Sequence, residues 1–159
     1  PAGPGASASA LWNLAHGASQ VLVLPVGATL PARIVVLPGT EASAGSLGVA
    51  ASLLRHLPAE SVLLAIHEGS TPERERASRL RLLLDARSQA LTEHGLDLRT
   101  ELRFGDADAE LARELDVDPN SMLVLGLEAL EESDALRLES LLEGPRPRPV
   151  LIVRAAGMP

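Results

Sequence analysis

The feature that most constrains this chain is a repeated switch between two hydrophobic periods. The runs "RIVVLP" (33–38), "SVLLAIHE" (61–68), "SMLVLG" (121–126) and "RPVLIVR" (148–154) are short and nearly continuously apolar. Each is rich in Val, Ile or Leu, and Pro or Gly ends several of them. This is the pattern of strands buried on both faces, as in a parallel sheet covered by helices. "LDLRTELRF" (96–104) instead alternates apolar and charged residues, which predicts a strand near an edge with one wet face.

Helical patterns fill the intervals. "SAGSLGVAASLLRHL" (43–57) predicts a helix whose small residues let it lie close to a sheet. Thr71 and Pro72 supply an N-cap and a first-turn proline for the next helix, which stops at Gly95. Ala77, Leu80, Leu84 and Leu91 form its expected buried stripe. Asp106 can cap a short helix ending near Leu115, and a further helix is expected from about Ala129 to Glu143. Five strands alternating with four helices predict an open, doubly wound α/β fold with right-handed crossovers.

Composition removes several chemistries. A chain of 159 residues with 46% hydrophobic content can build one core. Trp12 and Phe104 are its only aromatic residues, so base-stacking platforms are missing. The net charge of −7 opposes a phosphate backbone, and nucleic acid is not an expected partner. All basic residues are Arg, which excludes Schiff-base and Walker-lysine chemistry, and the absence of Cys excludes disulfides and thiolates. His16, His56, His67 and His94 are scattered and show no metal-ligand spacing, and "GASAS" has no recognisable catalytic partners. Residues 1–32 carry no formal charge, yet Asn13, His16, Gln20, Pro25 and several glycines interrupt them. No direct membrane insertion is expected, and a cytoplasmic location fits.

The order of these turns resembles the universal stress protein family. "RIVVLPGTEAS" looks like its opening strand and turn, "ELRFGDADAELARE" like its third strand and following helix. "SMLVLG" and "PRPVLIVR" look like the fourth strand and the closing one. The likeness runs over residues 33–154 and implies a five-strand, adenine nucleotide alpha hydrolase-like sheet, usually in a dimer. "GASASALWNLAHGASQVLVLP" (5–25) is similar to the end of a preceding domain of the same kind, with Gln20 where a proline is usual. The expected organisation is therefore an N-terminal helix and strand over residues 1–30, followed by a stress-protein-like domain over 31–159.

Many members of that family bind ATP, but here the motif is degenerate. Pro38 stands where the family has Asp, and Glu68 where an apolar residue packs on adenine. Of the glycine-rich phosphate loop only Gly126 remains; Ala129 takes the second glycine's place, and no distal Gly-Ser pair follows. Glu128, Glu131, Glu132 and Asp134 come instead, and their charge complements a helix start rather than a phosphate. These residues predict no enzyme, no cofactor and no metal, and a regulatory or interaction domain belonging to a larger protein, a transporter or a tandem stress protein. The alternative is binding of ATP or AMP at a divergent site using Gly39, Thr40 and Gly126. Association, as a homodimer or with a fused or associated membrane transporter, is expected at Val21, Leu22, Val23 and Leu24 with Val150, Leu151, Ile152 and Val153. Two such uncharged strands should pair, within one chain or between two.

Overall fold

The apolar runs form the sheet that their composition dictates. The computed structural model describes residues 20–37, 43–67, 73–126 and 147–153. Its strands are β1 (Gln20–Val23), β2 (Arg33–Leu37), β3 (Glu60–His67), β4 (Arg99–Phe104), β5 (Ser121–Gly126) and β6 (Val150–Val153). Its described helices are α1 (Ser43–Leu54), α2 (Glu73–His94) and α3 (Ala107–Leu115). The helix expected near 129–143 lies outside the described residues, as do Thr71 and Pro72.

The strands lie in the order β1-β6-β5-β2-β3-β4. Five of them, β2 to β6, are mutually parallel, which is the doubly wound sheet anticipated from the alternating periods. β1 adds a sixth strand, antiparallel to β6. As its charged alternation requires, β4 is an edge strand.

Strand alternation divides the core in two. Ile34, Val36, Leu63, Met122, Val124, Leu151 and Val153 pack on one face with Leu47 and Ala50 of α1 and Leu83, Ala86 and Ala90 of α2. Val35, Leu64, Leu123, Leu125, Val150 and Ile152 point the other way, toward Leu111 and Leu115 of α3. Full burial of one such Leu or Ile side chain contributes roughly 1.5–3 kcal/mol. At the start of α3 the Asp106 carboxylate accepts a 2.9 Å hydrogen bond from the Ala109 N–H, which satisfies one of the first-turn donors.

Helix α2 departs from expectation. Ala77, Leu80, Leu84 and Leu91 face outward, and the buried side is Leu83, Ala86 and Ala90. Leucines at 80, 82, 83, 84 and 91 surround the helix, so apolar spacing alone does not select a face. The short Ala86 and Ala90 side chains let the helix axis approach β3 and β4, where a leucine stripe would hold it away. The whole first part of the helix, residues 73–82, is exposed.

Candidate functional site

The chain runs from β2 outward to β3 and β4, then returns to the other side of β2 for β5 and β6. The switch point of the sheet therefore lies between β2 and β5. At such points the loops leaving the carboxyl ends of the two strands diverge, opening a ligand crevice. Here those ends are Leu37 and Gly126, brought level by the Leu37–Leu125 register. Gly126 is buried beside Val153 of β6. Gly39 and Thr40 come directly after β2 but lie outside the described residues, as do Pro38, Glu68 and the acidic run after Gly126. Of the three candidates Gly39, Thr40 and Gly126, only Gly126 is among the described residues, and it ends β5 at this switch point.

His67 ends β3, two strands from Gly126, and is 4% exposed. Its ring meets Phe104 of β4 edge-on at 5.9 Å, and its carbonyl accepts from the Gly105 N–H at 3.0 Å. Nε2 has no hydrogen-bond partner within the described residues. Arg76 of α2 covers the outer face of the same Phe104 ring, its guanidinium carbon 4.6 Å from the centroid. The ring packs against Phe104 as a structural histidine would, though its Nε2 is not satisfied within the described residues.

At the opposite end of the sheet lies a charged constellation that sequence reasoning missed. Arg33 opens β2 only 3% exposed, and Glu114, near the end of α3, is 1% exposed. Arg33 donates to Glu114 and, at 2.8 Å, to Glu60 of β3. Arg103 of β4 donates to the second Glu114 oxygen at 2.8 Å. Arg99 bridges the exposed side, with Glu101 at 2.6 Å and Glu60 at 3.5 Å. Burial pushes the Glu114 carboxyl up, but the hydrogen bonds from Arg33 and Arg103 outweigh it and hold the group below its ordinary value. Every member has an opposite charge beside it, so this cluster ties α3 to three strands, although the buried Nε atoms of Arg33 and Arg103 have no hydrogen-bond partner among the described residues. The available signal was Glu114 recurring one helical turn from Leu111 and beside Leu115, on the face of α3 that must be buried. Among the described residues, no group of three or more His, Asp or Glu side chains could hold a metal ion.

No protein-family profile and no curated sequence matches the chain. Solved structures do. The universal stress protein UspA from Lactobacillus plantarum superposes with a TM-score of 0.57 at 14% identity, covering 79% of this chain and 100% of that one. This chain has the universal stress protein fold. The Archaeoglobus fulgidus universal stress protein, solved in complex with dAMP, gives 0.57 at 16% identity over 79% of this chain and 98% of that chain. A universal stress protein family member from Burkholderia pseudomallei gives 0.52 at 24% identity, over 77% and 95%.

On this universal stress protein fold, β1 occupies the edge beside the closing strand. Val21, Leu22 and Val23 pair with Ile152, Leu151 and Val150 of the same chain, and Leu24 comes just after the strand. Val21 packs on the α3-side core, whereas Leu22 is 52% and Leu24 58% exposed. Among the described residues α1 lies over β2, β5 and β6, and Leu22 of β1 stays half exposed. Beyond Leu24 the chain turns through Gly27, whose φ of 79° is one that side chains resist. A cavity of about 110 Å³ opens there, lined by Pro25, Thr29, Pro119, Asn120, Pro147 and Pro149. It sits at the amino ends of β5 and β6, away from the switch-point crevice. Among the described residues, no helix is long and apolar enough to cross a membrane.

Proposed function

We propose that the chain belongs to the universal stress proteins and acts as a non-enzymatic regulatory or interaction domain whose ATP site has been lost. The observation that carries this reading is the acidic run immediately after Gly126. That glycine closes the central strand β5 at the switch point, where a phosphate-binding turn belongs. The sequence leaves it through Glu128, Glu131, Glu132 and Asp134, with no second glycine in register and no distal Gly-Ser pair. Carboxylates in the first turn of a helix neutralise its positive end and oppose a polyphosphate. With no chemistry assigned to it, the domain works by contact, as a homodimer or as a cytoplasmic part of a larger transporter or tandem stress protein.

A second reading is favoured by one observation, the dAMP complex of the Archaeoglobus fulgidus structure. By analogy, AMP or ATP would sit at Gly39, Thr40 and Gly126. Calorimetric titration with ATP and AMP, each with and without Mg²⁺, separates the two. The proposal expects no heat of binding at ligand concentrations up to about 1 mM, the weak end of the affinity scale. Micromolar binding of either nucleotide would establish the second reading instead.

A further inference from the structure

We infer, resting on the interaction reading above, that the outward face of α2 is a docking surface for an amphipathic helix of a partner protein, one whose apolar seam is flanked by carboxylates. α2 turns small residues inward. Ala86 and Ala90 meet the sheet with Leu83, while Leu80, Leu84 and Leu91 stay 43%, 48% and 50% exposed. Ala77, Leu80, Leu84 and Leu91 follow one another at spacings of three, four and seven, so they share one line along the helix. That line is about 21 Å long, two heptads of a helix–helix seam. The same helix also runs past the sheet, since residues 73–82 are exposed on every side. Leucines outside and alanines inside are the reverse of what burial within the fold asks for, and such a stripe marks a contact surface.

The flanks of the seam name the partner's chemistry. On a helix, Arg74 and Arg81 lie along one side of the line and Arg76 and Arg87 along the other. Arg87 is paired with Asp97 at 2.7 Å, and Arg76 lies over the Phe104 ring. Arg74, Arg79 and Arg81 make no ion pair among the described residues. Residues 74–81 hold four arginines against the single carboxylate of Glu75, a local positive stretch in a chain of net charge −7. Carboxylates beside a partner's seam would pair with these guanidiniums, and basic side chains there would be repelled. The seam also favours a helix over a lipid surface. It is one apolar residue wide, and α2 holds no aromatic residue, whereas a helix lying in a bilayer surface needs a broad apolar face.

The probe is a synthetic helical peptide of about three heptads, with Leu at the seam positions and Glu at the flanking ones, whose like charges oppose self-pairing. Calorimetric titration of the full chain should show micromolar binding that weakens as salt is added. Leu80→Gln combined with Leu84→Gln replaces exposed leucines by a good helix former, so the circular dichroism spectrum should hold while binding weakens about tenfold. Arg74→Glu combined with Arg81→Glu should reverse the preference, so that the variant takes a peptide with Lys at the flanking positions and refuses the Glu one. Absence of binding up to about 1 mM of the acidic peptide would overturn the surface. So would binding that neither pair of substitutions changes, or adsorption to phosphatidylglycerol vesicles in preference to the peptide. All these outcomes leave the nucleotide site untouched, which the titrations with ATP and AMP judge separately.

Discussion

The two edges of the sheet solve the same problem in opposite ways. β4 carries Arg99, Glu101 and Arg103, which pair with each other and with Glu60 and Glu114. Charges on a strand edge make stacking of a second strand costly, because they must be stripped of water to pair. β1 carries Gln, Val, Leu and Val, with Leu22 and Leu24 open to solvent. One edge carries charges that oppose pairing, and among the described residues the other carries none. The charges that protect β4 also reach inward to the Arg33–Glu114 pair, so edge protection and helix docking share one network.

Breaking the inner part of that network should have the largest effect. Glu114→Ala leaves the guanidinium of Arg33, 3% exposed, and that of Arg103 without their shared carboxylate. A loss of about 3–5 kcal/mol in urea unfolding is expected, the usual cost of removing one partner of a buried pair. A change under ~1 kcal/mol would show that the network is wet rather than buried.

Acid provides a graded version of the same test. The folded Glu114 carboxyl titrates below its ordinary value of 4.5, so its stabilisation is fully present above that pH. It is lost as pH falls from there through the folded value. The urea midpoint should therefore drop below about pH 4.5 in the wild-type protein, and Glu114→Gln should flatten that part of the slope.

The smallest effect on stability, and the sharpest test of the comparison, comes from the outer strand surface. Replacing Arg99 and Glu101 together by Thr should barely move the unfolding midpoint, because surface ion pairs contribute little. It should nevertheless make β4 sticky, seen in light scattering as concentration-dependent association beyond that of the wild type. If the double variant stays as unassociated at that edge as its parent, charge is not what keeps β4 single.

Much of the fold was legible in the residues. Strands such as "RIVVL" and "SMLVLG" announce themselves, since no other element buries a short β-branched run on both sides. Asp106 was readable as a cap because a carboxylate ahead of a helix has one geometric task there. The candidate crevice was legible for the same reason, as a glycine at the end of a central strand. Charged residues were harder. Glu114 falls on the apolar face of α3, but Arg33 is far from it in sequence and nothing local names the two as partners.

The chain by itself determined the α/β class, the strand sequence, the edge character of β4 and the lack of cysteine, lysine and stacking chemistry. These arise from local composition and period, which act before any long-range contact forms. Tertiary structure alone decided three things. It turned α2 so that Ala86 and Ala90 rather than Leu80, Leu84 and Leu91 meet the sheet, because close approach favours small side chains. It buried Arg33 with Glu114, because only the folded sheet brings their elements together. It also laid β1 on β6 of the same chain, a choice between equally apolar partners that register and chain connection settle and strand sequence does not.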